Sequence, residues 1–137
     1  MESVNREDYL RGIYHLMEDA RTNNEVRSVQ LADYLSVTKA SVSEMLKELD
    51  KDGLIDYRRY SKLKFTKKGH KIAKEITSKH RIIERFLTDV LKMSPKIIHD
   101  EAHKLEHAFS DESIKKLRKL LGNPKQDPHG KPIPSIL

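Results

Sequence analysis

The predicted fold is decided by residues 28–65, SVQLADYLSVTKASVSEMLKELDKDGLIDYRRYSKLKF. Two runs of apolar residues at helical spacing, separated by a short polar break, predict two helices joined by a tight turn. Ser28 and Thr38 are placed as their N-caps, and Gly53 as the left-handed residue that ends the second helix. Two short apolar strands then complete a hairpin. Helix, turn, helix and hairpin is the order of a winged helix-turn-helix.

The second helix of this pair is expected to enter the major groove of DNA through its N-terminal residues. Small and hydroxyl side chains there allow close approach to base edges, and the methyl groups of Thr38 and Ala40 suit thymine. Long cations nearby suit phosphates. The alternative is a winged helix that binds another protein. The predicted DNA-contacting residues are Arg27, Ser28, Thr38, Lys39, Ala40, Ser41, Ser43, Lys47, Arg58, Arg59 and Lys62.

The charge distribution supports contact with nucleic acid. Residues 58–74 contain eight Lys or Arg and neither Asp nor Glu, and the whole chain carries a net charge of +6. A basic block of this kind is an electrostatic footprint for phosphates. The alternative is a solvated helix face, but the neighbouring helix-turn-helix pattern favours DNA.

The rest of the chain is predicted to be mainly helical. An amphipathic helix near residues 9–17, capped by Asn5, precedes the pair. Downstream we expect a long helix from Thr66, a second after Ser94, and a third from Ser110, followed by an irregular tail. The predicted architecture is mainly α, with a winged helix-turn-helix DNA-binding domain over residues 1–68. A helical metal-binding and dimerisation domain with an irregular tail would occupy 69–137.

Four of the seven histidines lie between residues 80 and 107. His80 and Glu84 are spaced i, i+4 on the long helix, so both face one side of it. Imidazoles and carboxylates converging from two helices are the ligands that borderline divalent metals prefer. The alternative is chance clustering of solvated histidines. On the next helix, four groups fall at i, i+4, i+7 and i+8 within a sector of about 100°: His99, His103, Glu106 and His107.

With these motifs in view, the chain resembles the diphtheria toxin repressor family of metal-activated transcriptional repressors, near its manganese transport regulator branch. The resemblance covers nearly the whole chain and predicts a short form, since many iron-type members continue into a small barrel domain. Five segments carry it: EDYLR (7–11), LDKDGL (49–54), KHR (79–81), HDEAHKLEH (99–107) and PHGKPIP (128–134).

The resemblance implies two metal positions. One would use Asp8, His103, Glu106 and His107, and the other His80, Glu84 and His99. Arg11 replaces a liganding glutamate of the manganese branch, and His103 replaces another. The implied function is a repressor that senses Mn(II) or Fe(II) and controls metal-uptake genes.

The residue types narrow the chemistry further. The chain has no cysteine, so thiolate ligands are excluded and the donor set suits Mn(II) or Fe(II). Zn(II), Co(II) and Ni(II) should also bind in vitro by the Irving–Williams order. A metal-independent winged-helix regulator is the alternative function, and a metal-dependent hydrolase a remote one. We find no HExxH motif, glycine-rich phosphate loop or nucleophile elbow, so we do not expect an enzyme.

The location and assembly of the protein can also be predicted. The N-terminus lacks the apolar run of a signal peptide, and no apolar run approaches a membrane span, so we expect a cytoplasmic protein without membrane contact. The long helix carries more apolar surface than one helical layer needs. This surface predicts a homodimer that reads a palindromic double-stranded DNA operator. Its apolar residues are Ile76, Ile82, Ile83, Phe86, Leu87, Val90 and Leu91.

Overall fold

The computed structural model of the protein describes residues 4–19, 25–58 and 62–135. This part of the chain is mainly helical, as predicted, and it divides into two compact units, 1–76 and 77–137. The boundary predicted after residue 68 lies near the start of the long helix and stays a prediction. The elements are α1 (Arg6–Met17), α2 (Ser28–Leu35), α3 (Lys39–Lys51), β1 (Ile55–Asp56), β2 (Lys64–Phe65), α4 (Lys67–Asp89), α5 (Pro95–Glu106) and α6 (Asp111–Leu120).

The first unit is a three-helix layer with a short hairpin. Asn5 caps α1 through a capping box with Asp8, and Thr38 caps α3 by accepting the Ser41 amide proton, both as predicted. Gly53 has φ +76°, the left-handed conformation expected after α3. The apolar faces of these helices share one core, which includes Tyr9, Leu10, Ile13, Leu31, Val42, Leu46 and Leu49.

The hairpin that forms the wing is antiparallel. Ile55 pairs with Phe65 and Asp56 with Lys64. Val26, in the segment before α2, adds an isolated antiparallel bridge to Leu63. The three short segments therefore fix the base of the wing against the helices.

The second unit has its own core. Ile82, Ile83 and Leu87 of α4 pack with Ile98 and Ala102 of α5. Ile114 and Leu117 of α6 complete this core, together with Ile133 from the tail. The tail contains no helix or strand in its described residues, as predicted, yet it is tightly held. The Arg81 guanidinium donates to the Pro132 carbonyl at 2.6 Å, and the Ser78 hydroxyl donates to the Pro134 carbonyl at 3.0 Å.

Several element boundaries differ from the sequence predictions. Ser28 is not the N-cap of α2: Arg27 occupies that position, and its amide donates to the Gln30 side chain at 2.8 Å. In a capping box, a Glu or Gln three residues after the N-cap accepts the N-cap amide proton, and Gln30 does this for Arg27. The N-cap is therefore one residue earlier than predicted. His107 is the C-cap of α5 rather than a helical residue. Within the described residues, no helix is both long enough and apolar enough to cross a membrane.

Candidate metal centre and DNA-binding surface

The first cluster consists of His80 and Glu84 on α4 and His99 on α5. His80 Nε2 lies 3.4 Å from Glu84 Oε1 and 3.3 Å from His99 Nδ1. His80 and Glu84 are buried, whereas His99 is exposed. Two nitrogens and a carboxylate oxygen therefore meet at one point, open to solvent on the His99 side.

The second cluster consists of His103, Glu106 and His107, all from the last turn of α5 and its cap. The rings of His103 and His107 meet edge to face, with centroids 5.4 Å apart. Glu106 is buried, His103 is half-buried and His107 is exposed. The four groups predicted to share one helix face thus divide, with His99 in the first cluster and the other three here.

A hydrogen bond joins the two clusters. His80 Nδ1 lies 2.7 Å from Glu106 Oε2, and the two side chains are only 4% and 2% exposed. The other carboxylate oxygen, Oε1, lies 3.9 Å from His107 Nε2. His80 therefore contacts the first cluster through one ring nitrogen and a residue of the second cluster through the other.

The donor atoms fit a divalent first-row metal. Within each cluster, one donor atom from every residue lies within 4.8 Å of the others. Bonds of about 2.0–2.2 Å would place such atoms about 3–4 Å apart around one ion, so small side-chain rotations suffice. Imidazole nitrogen and carboxylate oxygen without sulfur are a hard-to-borderline set. Each cluster can therefore supply three of the ligands of such an ion.

His129 is a neighbour of the first cluster that sequence reasoning missed. Its Nε2 lies 3.6 Å from Glu84 Oε2. A turn of the tail holds it there, because Asp127 Oδ1 accepts the amide protons of His129 and Lys131, each at 2.8 Å. The only signal in the sequence was that the segment 128–134 resembles the family.

Asp8 belongs to the first unit, where its carboxylate has local partners. Oδ2 accepts the Asn5 amide proton at 2.8 Å, and Oδ1 accepts from Arg11 Nη2 at 3.1 Å. The side chains of Asp8 and Arg11 are both largely buried. Asp8 is therefore part of the helix cap, and its role as a metal ligand stays a prediction.

The start of α3 presents the predicted DNA-contacting residues to solvent. Thr38, Lys39, Ala40 and Ser41 are exposed, and Ser43 is half-buried. The Thr38 hydroxyl donates to Ser41 Oγ at 2.9 Å, so the Ser41 hydroxyl can donate its own proton outward to a DNA acceptor. Further along the helix, Lys47 is also exposed. These positions suit close contact with a groove.

The wing carries cations that are partly neutralised. Glu25 lies 3.2 Å from both Lys62 Nζ and Lys64 Nζ. Hydrogen bonds from these two lysines lower the pKa of the Glu25 carboxyl below its usual value. Arg27 and Arg58 are exposed, and Arg59 lies outside the described residues. The DNA-contact roles of all these residues stay predictions.

A winged helix-turn-helix unit and a helical unit with two imidazole–carboxylate clusters lie on one chain, the combination expected of the class of metal-responsive DNA-binding proteins. Two family models match this chain. Residues 1–63 match the N-terminal DNA-binding domain of iron-dependent repressors, and residues 66–135 match their metal-binding and dimerisation domain. The chain belongs to the iron-dependent repressor family, as its motifs predicted.

Individual relatives agree with this assignment. The diphtheria toxin repressor of Corynebacterium diphtheriae is 35% identical over 130 residues, which cover 95% of this chain and 56% of that protein. The structure of the manganese regulator SloR matches with a TM-score of 0.84 at 39% identity, covering 98% of this chain and 61% of that one. The structure of a manganese-dependent transcriptional repressor in complex with manganese matches with a TM-score of 0.86 at 34% identity, covering 96% of this chain and 59% of that one.

The chain therefore spans little more than half the length of these relatives. The matched part contains both domains that the family models describe. Because the family consists of DNA-binding repressors, its membership agrees with the prediction that the chain is not an enzyme.

Proposed function

We propose that this protein is a metal-dependent DNA-binding repressor that senses Mn(II) or Fe(II) and controls genes of metal uptake. The observation that carries the proposal is the convergence of three donor residues in each of two clusters, on the same chain as a winged-helix DNA-binding domain. His80, Glu84 and His99 would hold one ion, and His103, Glu106 and His107 another. A bound ion supplies a fixed positive charge that orders the side chains around it.

The donor set favours Mn(II) or Fe(II) as the physiological metal. Both clusters combine imidazole with carboxylate, and sulfur ligands are excluded because the chain lacks cysteine. If Asp8 adds a second carboxylate, as the family resemblance implies, manganese is slightly favoured. Zn(II), Co(II) and Ni(II) should bind at least as tightly in vitro, so selectivity depends on geometry and on the metals that the cell supplies.

The DNA target is proposed to be a palindromic double-stranded operator read by a homodimer. A two-fold dimer presents two recognition helices to half-sites about one helical turn, or a multiple of it, apart. The recognition helix lacks Arg and Asn, the side chains that most often read bases through paired hydrogen bonds. Methyl contacts, DNA shape and half-site spacing would then supply the specificity.

The experiment starts with DNA that the protein itself selects from a random duplex library in the presence of Mn(II). Fluorescence anisotropy then measures the affinity for this DNA with Mn(II) and with a chelator. We expect at least a tenfold gain with Mn(II), about 1.4 kcal/mol of coupling between the two ligands.

Glu106→Gln should abolish this gain, because it removes a ligand of the second cluster. Glu101→Gln is the matched control, since it makes the same substitution on the same helix outside both clusters. Superimposable titrations with and without Mn(II) would refute metal dependence and favour a metal-independent regulator. Equal loss in both variants would assign the effect to helix charge rather than to the cluster.

A further inference from the structure

We propose that His80 is a positioning residue for the second cluster, so that metal affinity at His103, Glu106 and His107 depends on a residue outside that cluster. The inference rests on the proposed function, because it concerns how the same residues hold metal. It goes further by making the two clusters one coupled unit, linked through the hydrogen bond from His80 Nδ1 to Glu106 Oε2.

The bond sets the orientation of the His80 ring. A carboxylate can only accept, so His80 Nδ1 is the donor to Glu106 Oε2. With Nδ1 held there, the other ring nitrogen, Nε2, faces Glu84 and His99. Glu106 therefore fixes the ring that the first cluster uses.

The same bond determines how Glu106 is presented. Its Oε2 is engaged by His80, while Oε1 lies on the His107 side. A buried carboxylate held at one oxygen loses little further rotamer freedom when the other oxygen binds an ion. Removal of the His80 ring would free Glu106 to rotate and would weaken the second cluster.

The hydrogen bond between His80 and Glu106 is important because it joins residues on two different helices. The three residues of the second cluster all lie at the end of α5, whereas His80 lies on α4. The bond thus ties the second cluster to the helix that supplies two residues of the first. By thermodynamic reciprocity, any effect that filling one cluster has on the affinity of the other holds equally in the reverse direction.

Two variants separate the positioning role from simple loss of the first cluster. His99→Ala and His80→Ala each remove one ligand of that cluster, but only His80→Ala also removes the bond to Glu106. Calorimetric titration with Co(II) should show one remaining site in each variant. We expect that site to bind about tenfold more weakly in His80→Ala, since loss of a group that orients a ligand costs about 10–100-fold in affinity.

Equal Co(II) affinities in the two variants would overturn the inference while leaving the proposed function intact. Wild-type protein that takes up no Co(II) in a saturable manner would overturn both. Circular dichroism checks that each variant folds.

A measurement on the metal-free wild type covers the case in which His80→Ala does not fold. Long-range ¹H–¹⁵N correlation spectra of the imidazoles should show a proton on His80 Nδ1. A ring with no proton on Nδ1 would overturn the inference directly.

Discussion

At the residue scale, Asp8 combines a structural role in the cap of α1 with a predicted role as a metal ligand. Its two oxygens cap α1 at Asn5 and pair with Arg11. Asn at this position keeps an acceptor for the cap but binds cations weakly. Asp8→Asn should therefore leave the fold and Co(II) uptake by the second unit in place. The gain in DNA affinity produced by Mn(II) should fall about threefold, roughly 0.7 kcal/mol of coupling.

Anisotropy titrations with Mn(II) and thermal denaturation check this prediction together. Asp33→Asn, an exposed carboxylate on α2, is the control. If Asp8→Asn matches the wild type in both assays, the first helix supplies no ligand. If it lowers thermal stability instead, the carboxylate acts mainly through the helix cap.

His129 makes a second prediction at this scale. Its distance of 3.6 Å from Glu84 places it either as an additional ligand or as a group that orients Glu84. In both cases His129→Ala should weaken Co(II) binding at the first cluster by about tenfold, and affect the second cluster less, because the bond between His80 and Glu106 is kept. His15→Ala, which removes a histidine from the first unit, should change neither affinity. Unaltered binding in His129→Ala would show that the tail contributes nothing to the cluster.

Spacing along the chain revealed the donors of both clusters, because residues four apart on a helix necessarily share a face. It could not reveal how they divide between clusters. That division depends on where α4 and α5 meet, and the bond between His80 and Glu106 joins residues on different helices. The position of His129 beside the first cluster could not be predicted either, because it lies in a tail without helical periodicity. Spacing in such a segment does not indicate which residues come close together.

At the element scale, two basic side chains of the wing form ion pairs with Glu25, in the segment before α2. Hydrogen bonds from Lys62 and Lys64 lower the pKa of the Glu25 carboxyl, so the two ion pairs persist below the usual pKa of a glutamate and are lost only as the pH falls through the lowered value. Glu25→Gln should release two cations for phosphates. Binding to random duplex DNA should tighten, and the slope of log K against log salt should steepen by about one to two units.

Anisotropy over a series of salt concentrations measures that slope. Glu75→Gln, an exposed carboxylate on α4, should change it little. The opposite change, Arg58→Ala combined with Lys62→Ala, should flatten the slope and weaken operator and random DNA about equally. A selective loss on the operator would mean that the wing reads sequence.

The start of α4 depends on a glycine for a reason of space. A Cβ at Gly69 would lie 1.7 Å from the carbonyl oxygen of Leu54, so α4 can approach the backbone just before β1 only without a side chain at this position. Gly69→Ala should destabilise the first unit by about 1–3 kcal/mol through forced displacement of backbone. All five tyrosines precede residue 61, so their fluorescence in urea reports on this unit.

Lys68→Ala, at the neighbouring exposed position, should leave the urea midpoint almost unchanged. A Gly69→Ala midpoint equal to that of the wild type would show that α4 shifts without cost. From the sequence, this glycine was merely tolerable in a helix, because a contact with Leu54 cannot be read from local propensity. The helices themselves were predictable, since their caps and apolar periodicity are local.

At the scale of the whole molecule, the surplus apolar surface predicted on the long helix is smaller than the sequence suggested. Ile82, Ile83 and Leu87 lie in the core of the second unit. The surplus is concentrated around the turn between α4 and α5. Val90 and Leu91 in this turn are 50% and 52% exposed, and Ile97 in the first turn of α5 is 45% exposed. Sequence periodicity identified the apolar residues but could not tell those buried within the chain from those left for a partner.

This patch is where we expect a second copy of the chain to bind. The matched family model describes a dimerisation domain over these residues, and burial of exposed apolar side chains favours association. Val90→Glu combined with Leu91→Glu should convert a dimer to a monomer in analytical ultracentrifugation at micromolar concentration, because a charge at the centre of an interface is costly.

Leu120→Glu is the control, since Leu120 is 73% exposed on α6 outside the patch. A monomeric wild type, or a dimer that survives both glutamates, would contradict the assignment. Loss of the dimer in Leu120→Glu alone would move the interface to α6.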